Sequence, residues 1–223
     1  YDLAIEYYLK AIDLGNAAAA GNMGYLYRYG EGVEQDYAKA IEYYELGVEM
    51  GDDASANSLG YLYDVGEGVE QDIEKAIGYY EIGIERGYGA SAGNIAYLYR
   101  YGIGVEQDIE KAIEYYEIGA DLGHGISANN LGYMYDIGEE VEQDIEKAIQ
   151  CYEIGIELGE GSSAGNLAYL YRYGEGVEQD LAKAVEYYEI GVSLGHGLSM
   201  NNLAYMYLMG DQIQQDYEKA LYY

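Results

Sequence analysis

Residues 56–80, ANSLGYLYDVGEGVEQDIEKAIGYY, contain the pattern that decides the fold. The central motif Val69-Glu70-Gln71-Asp72 returns every 36 residues along a chain of 223 residues and decays only in its last copy, at Ile213 to Asp216. A fixed period of this length, kept without a slip, is typical of a repeat array and not of an ordinary globular domain.

The composition limits the classes of function. The chain has 41 acidic and 11 basic residues, a net charge of −30, and half of its residues are apolar. The apolar content argues against intrinsic disorder, and the negative charge argues against nucleic-acid binding. The longest uncharged stretch, residues 190–210, is interrupted by glycine, serine, asparagine and histidine, so we expect no membrane insertion. The single cysteine, Cys151, cannot form an internal disulfide.

Each repeat divides into two helical segments separated by glycine. The first segment, helix A, runs roughly from Ala18 to Tyr29 and ends at Gly30, a residue suited to the left-handed turn after a helix. The second, helix B, begins after Asp36, whose side chain can cap the first turn, and ends near Gly51. The linker between them is too short to cross the array, so the two helices are antiparallel. No stretch alternates as a half-buried strand would, and the predicted fold is all-α.

Both helices carry an apolar face with the period of an amphipathic helix. The predicted core positions are Ala20, Met23, Gly24 and Tyr27 on helix A, and Ala40, Ile41, Tyr44, Gly47 and Val48 on helix B. Gly47 recurs in five repeats although a glycine inside a helix costs about 1 kcal/mol relative to alanine. This repetition predicts a close approach between neighbouring helices at the glycine.

The quoted stretch resembles the Sel1-like repeat family, relatives of the tetratricopeptide repeats. The matching residues are Ala56, Leu59, Gly60, Tyr63, Gly66, Gly68, Val69, Asp72, Lys75, Ala76, Tyr79 and Tyr80. The resemblance implies an α-solenoid, a right-handed superhelix of about six 36-residue helical hairpins with helix A on the concave side. It also implies one domain over residues 1–223, belonging to a longer array, that acts as an adaptor or scaffold. Some cysteine-rich members bind or hydrolyse β-lactams, but the cysteine pair that they carry in each repeat is missing here.

The side of helix A that packing leaves free carries the candidate binding surface. In the first copy it comprises Gly21, Asn22, Tyr25, Arg28 and Tyr29. The arginine position alternates between arginine and aspartate from one repeat to the next, and residues 25–36 are identical to residues 169–180, so the copied unit is two hairpins. The candidate partner-binding residues are Asn22, Tyr25, Arg28, Tyr29, Tyr61, Asp64, Asn94, Tyr97, Arg100, Tyr101, Asn130, Tyr133, Asp136, Asn166, Tyr169, Arg172, Tyr173, Asn202 and Tyr205.

Two interpretations of this surface stay open at the level of sequence, and they are compatible. In the first, tyrosines and asparagines contact an extended peptide or a repetitive partner while the arginines hold carboxylates. In the second, Arg28 pairs with Asp64, and Arg100 with Asp136, across neighbouring A helices, with at most about 1 kcal/mol from each exposed pair.

The outer side of helix B forms a carboxylate ridge, to which we assign solubility and not a specific site. Its residues are Glu42, Glu45, Glu49, Glu81, Glu85, Glu114, Glu117, Glu153, Glu157, Glu186 and Glu189. The linker acids Glu31, Glu34 and Asp36 lack the ligand spacing of a calcium loop. The two histidines, 72 residues apart, are too distant to share a metal ion.

No catalytic arrangement emerges from the sequence. We therefore expect a scaffold without enzymatic activity, metal or cofactor, whose partner is a protein or peptide. The alternative is a structural protein that assembles with itself into a fibre or layer, because its copies are nearly identical and their unit can match a lattice.

Overall fold

The computed structural model describes residues 2–210 and 213–223, which contain thirteen α-helices and no strand. The helices are α1 (Asp2–Asp13), α2 (Ala17–Tyr29), α3 (Tyr37–Met50), α4 (Asp53–Val65), α5 (Ile73–Glu85), α6 (Gly89–Tyr101), α7 (Ile109–Asp121), α8 (Gly125–Ile137), α9 (Ile145–Glu157), α10 (Gly161–Tyr173), α11 (Leu181–Ser193), α12 (Gly197–Met209) and α13 (Tyr217–Tyr222). The even-numbered helices from α2 are the A helices, and the odd-numbered ones are B helices. The all-α prediction is confirmed.

The helices belong to two compact units, Tyr1–Ile118 (unit 1) and Gly119–Tyr223 (unit 2). Within unit 1, α2 packs against α3 as a hairpin, and it also contacts α4, the next A helix. Within unit 2, α10 packs against α11 and contacts both α8 and α12. The prediction of one continuous solenoid over residues 1–223 stays a prediction.

The predicted caps define the helix ends. Gly30 follows α2 in the left-handed conformation, with φ of 69°, and Asp36 accepts a hydrogen bond from the Lys39 amide at 3.1 Å at the start of α3. Gly51 ends α3 with φ of 100°. Both predicted helices of this hairpin are therefore confirmed to within one residue at each end.

The repeated Gln-Asp dipeptide of the linker holds the hairpin closed. The Gln35 side chain donates to the backbone oxygen of Arg28 at 2.8 Å, and the Asp36 amide donates to Tyr27 oxygen at 2.9 Å. The same glutamine contact recurs at Gln71, Gln107, Gln143, Gln179 and Gln215. These bonds satisfy carbonyls at the end of helix A, which gives the repeated motif a structural role.

Core clusters form between helix B of one hairpin and helix A of the next. In unit 1, Ala40 and Tyr44 of α3 pack with Leu59 and Leu62 of α4. In unit 2, the corresponding cluster contains Ala148, Tyr152, Leu167 and Leu170. The predicted core positions Ala20, Met23, Gly24, Ala40, Tyr44 and Gly47 are buried, and Tyr27, Ile41 and Val48 are half-buried. Successive hairpins are therefore joined by apolar burial as well as by the chain.

The glycine inside helix B marks the closest approach between hairpins. A Cβ atom on Gly47 would overlap the hydroxyl of Ser55 on α4, and the same overlap occurs between Gly83 and Ser91. Both serines are buried. The predicted close approach is confirmed, because no larger side chain fits at the glycine without moving the next helix.

We expect Gly47→Ala to destabilise the protein by about 1–3 kcal/mol, because overpacking outweighs the gain in helix propensity. Gly78→Ala is the matched control, since Gly78 also lies inside a B helix and an added Cβ would meet no atom within 4 Å. That variant should raise the urea midpoint of unfolding. An equal rise for both variants would contradict the close-approach account.

Candidate functional site

A row of half-exposed tyrosines follows the A helices in each unit, and we call it the tyrosine face. It comprises Tyr25, Tyr61 and Tyr97 in unit 1, and Tyr133, Tyr169 and Tyr205 in unit 2. Between 40% and 51% of the surface of each residue is exposed. In alternate repeats a second tyrosine lies one turn further along the helix, and the ring centroids of Tyr25 and Tyr29 are 4.6 Å apart. The same pairs occur at Tyr97–Tyr101 and Tyr169–Tyr173.

The arginines lie beneath the tyrosine face, and their predicted exposure is wrong. Arg28 and Arg100 are 9% exposed, and Arg172 is 5% exposed. The Arg28 guanidinium carbon lies 4.9 Å from the Tyr29 ring centroid and 4.7 Å from that of Tyr61 on the next A helix. Arg28 therefore bridges two successive A helices and supports the rings that it contacts.

The predicted pairing of Arg28 with Asp64 is also wrong. Arg28 donates from Nη2 to Glu67 Oε2 at 2.6 Å and from Nε to Glu67 Oε1 at 3.2 Å. Glu67 belongs to the linker after α4, so a two-pronged ion pair joins neighbouring hairpins. The hydrogen bond and charge of Arg28 hold the pKa of the Glu67 carboxyl below its ordinary value.

The aspartates at the alternate position bond within their own hairpin. Asp64 accepts a hydrogen bond from the buried Tyr80 hydroxyl at 3.2 Å, and Asp136 accepts one from Tyr152 at 3.0 Å. Burial raises the pKa of both carboxyls, and the tyrosine bonds only partly oppose this shift. At these alternating positions, Arg28 and Asp64 therefore both bond to other residues of the protein.

The asparagine series is divided between internal bonds and solvent. Asn94 donates to Asn57 Oδ1 at 3.0 Å, and Asn166 donates to Asn129 Oδ1 at 3.0 Å. Asn22 is exposed, while Asn130 and Asn202 are half-buried. Sequence reasoning missed the acceptor position, although its signal is visible as the alternation Gly21, Asn57, Gly93, Asn129, Gly165 and Asn201.

Residues 2–210 and 213–223 contain neither a candidate metal site nor a candidate membrane-spanning helix. In these ranges no group of three or more histidine, cysteine, aspartate and glutamate side chains could hold a metal ion. In the same ranges, no helix combines the length and the apolar character needed to cross a membrane.

Comparison with protein families identifies the chain. The Sel1 repeat model matches residues 1–16, 17–52, 53–88, 90–124, 125–160, 162–196 and 197–223. The chain therefore belongs to the Sel1 repeat family, as its motif predicted. The sequence predicted about six repeats, whereas the family model divides the chain into seven segments. The first and last of these segments are shorter than the 36-residue period.

Solved structures share this architecture. The chain is similar to a Sel1 repeat protein from Oxalobacter formigenes, with a TM-score of 0.81, 25% identity and coverage of 98% of this chain and 96% of that one. It is also similar to c5321, a protective antigen of uropathogenic Escherichia coli, with a TM-score of 0.74, 28% identity and coverage of 98% and 47%. The immunity protein Pa5087 from Pseudomonas aeruginosa shares the fold, with a TM-score of 0.62, 21% identity and coverage of 86% and 74%.

Comparison with curated proteins found no match. The Sel1 repeat family consists generally of non-catalytic scaffolds that bind other proteins. The family thus supports the predicted class of protein-interaction scaffold.

We expect Glu67→Gln to lower the free energy of unfolding by about 1–2 kcal/mol at pH 7, because it leaves a buried guanidinium without its counter-charge. Glu67 has a lowered pKa in the folded state, so its contribution is present above its ordinary value of 4.5 and is lost as the pH falls through the folded pKa. Urea unfolding at pH 7 and pH 3 checks this. A penalty of equal size at both values would count against the ion pair.

Asp64→Asn should show the opposite pH dependence. Because the folded pKa of Asp64 is raised, its contribution to stability is greatest below its ordinary value of 3.8 and is lost as the pH rises through the folded pKa. The variant, which keeps an acceptor for Tyr80, should therefore gain stability relative to the wild type between pH 3 and pH 7. A relative loss over that range, in the same unfolding series, would refute the assignment.

Proposed function

We propose that the protein is a binding scaffold whose tyrosine face receives a segment of another protein in extended conformation. The observation that supports this proposal is the repetition of a half-exposed tyrosine on every complete A helix. A tyrosine offers a large apolar ring with a polar tip and loses little conformational entropy on binding.

The spacing of the repeats fits an extended chain. Packed helices lie about 8–10 Å apart, and an extended peptide advances about 3.3 Å per residue. Each hairpin therefore spans about three residues of the partner, and the three tyrosines of one unit span about nine. Side chains of the partner that lie about three residues apart would contact equivalent tyrosine rings on successive hairpins. This spacing favours a partner that is itself repetitive.

The binding chemistry that we propose differs from the one that the sequence indicated. Arg28 donates to Glu67 through its Nε–Nη2 edge, and Asp64 accepts from Tyr80. We therefore assign these charged residues to the support of the face, and assign contact with the partner to the tyrosines and the exposed Asn22.

Self-association is the second candidate function. It is favoured by the identity of residues 25–36 and 169–180, which places the same surface residues in both units. Copies of a repeated surface can form regular contacts that extend without closing. The mass of the protein in solution over a concentration series separates the two functions, because a scaffold keeps its mass while an assembling protein grows.

We expect the triple variant Tyr25→Ala, Tyr61→Ala and Tyr97→Ala to lose most of the partner protein captured by the immobilised wild-type chain. The matched control is Glu45→Gln, Glu81→Gln and Glu117→Gln, which alters three exposed residues of the carboxylate ridge in the same unit. Quantitative mass spectrometry of captured protein gives the comparison. Full capture by the tyrosine variant, or loss only in the ridge variant, would contradict the proposal.

A further inference from the structure

A cavity of about 210 Å³ opens on the tyrosine face between α2 and α4 in unit 1. Gly21, Asn22 and Tyr25 of α2 form one side, and Asp52 and Ser58 form the other. Three of these residues lie on the side of helix A that carries the tyrosine face. The cavity is therefore placed where a bound segment would pass.

The walls of the cavity combine an aromatic ring with one carboxylate. Asp52 is the only aspartate, glutamate, lysine, arginine or histidine among the residues that line the cavity. Asp52 Oδ2 caps α4 by accepting from the Ser55 amide at 2.8 Å. The Tyr25 hydroxyl donates to Glu31 Oε1 at 3.3 Å, which brings a second carboxylate to the edge of the ring. An aromatic wall beside carboxylates is suited to an ammonium or guanidinium group.

The surrounding charge favours a cation over an anion. The A helices contain three basic residues, Arg28, Arg100 and Arg172, and all three are buried. Arg28, the one that lies near the cavity residue Tyr44, is paired with Glu67. The exposed Arg86 lies close to Asp52, where its Nη1 donates to the backbone oxygen of Asp52 at 3.2 Å. The net charge of −30 favours the approach of basic partners to the protein over acidic ones.

The corresponding position in unit 2 carries an imidazole ring in place of the carboxylate. His196 occupies the position of Asp52, and its ring lies 2.7 Å from where a Cβ atom on Gly165 would be. Its Nδ1 lies 2.8 Å from Ser199 Oγ, in place of the bond between Asp52 and Ser55. The fold thus accommodates a ring without a carboxylate at this position.

We propose that the cavity between α2 and α4 binds the charged end of a lysine or arginine side chain of the partner, with Asp52 as counter-charge and Tyr25 as the aromatic wall. This inference rests on the proposed function and adds that the extended partner is basic. Lysine and arginine both supply a side-chain cation, and the test includes one peptide with each.

The test uses short peptides of known sequence in place of the partner. Acetyl-Ser-Pro-Arg-Pro-Ser-amide and its lysine, glutamine and glutamate counterparts are titrated into the full chain labelled with ¹⁵N, and amide shifts are followed. The proline-rich frame is extended, at about 3.1 Å per residue, so only the central side chain differs. The arginine and lysine peptides should shift the amides of Gly21, Asn22 and Ser55, whereas the other two should not.

Two variants of Asp52 test the roles of the carboxylate charge and of the open volume of the cavity. Asp52→Asn keeps a capping side chain and removes the charge, and it should weaken binding of the basic peptides about fivefold. Asp52→His copies the arrangement of unit 2, where His196 makes no side-chain cap bond to α12. It should abolish the shifts at the cavity, and the loss of the α4 cap should lower the melting temperature only slightly. Glu45→Gln, on the carboxylate ridge, should leave the titration unchanged.

Each other outcome overturns the inference. Equal shifts at the cavity with the glutamine peptide would remove the cation preference but leave the tyrosine face as a peptide-binding surface. Shifts confined to the carboxylate ridge, unchanged binding by Asp52→His, or no shift with any peptide would refute the cavity as a site. Capture by the tyrosine variant remains a separate measurement, so the proposed function can stand or fail on its own.

Discussion

The contact between a glycine of helix B and a buried serine of the next helix A is the constraint on which the rest of the structure depends. Without a side chain at Gly47, α3 and α4 approach until the Ser55 hydroxyl fills the space. The apolar clusters then close around this contact, with Ala40 and Tyr44 against Leu59 and Leu62. Because the contact recurs at the repeat period, the unburied side of each A helix presents equivalent residues, and a row of tyrosines results.

A second, alternating set of bonds accounts for the period of two hairpins. In one hairpin Arg28 reaches across to Glu67 of the following linker, and in the next hairpin Tyr80 bonds to Asp64. Both charged side chains are satisfied inside the array. The surface left above them is aromatic and amide in character, with carboxylates at its margins, which suits a basic extended partner better than an acidic one.

The fold could be predicted from the sequence because its signals are local. Gly30 and Asp36 specify helix ends through backbone conformation and capping, and the recurrence of Gly47 specifies close packing. The partner of Arg28 could not be predicted, because Glu67 lies 39 residues away in a linker whose path the helical period does not describe. Periodicity predicted which face of helix A packing leaves free, but it could not show that the long arginine side chain turns beneath the tyrosines.

The most direct measurement of the central claim is photocrosslinking from the tyrosine face. A benzoylphenylalanine at position 61, which replaces an exposed tyrosine, is compared with the same group at position 81 on the carboxylate ridge, in lysate from cells that produce the protein. The account predicts a discrete crosslinked partner from position 61 and none from position 81. A crosslink from position 81 alone, or from neither position, would contradict it.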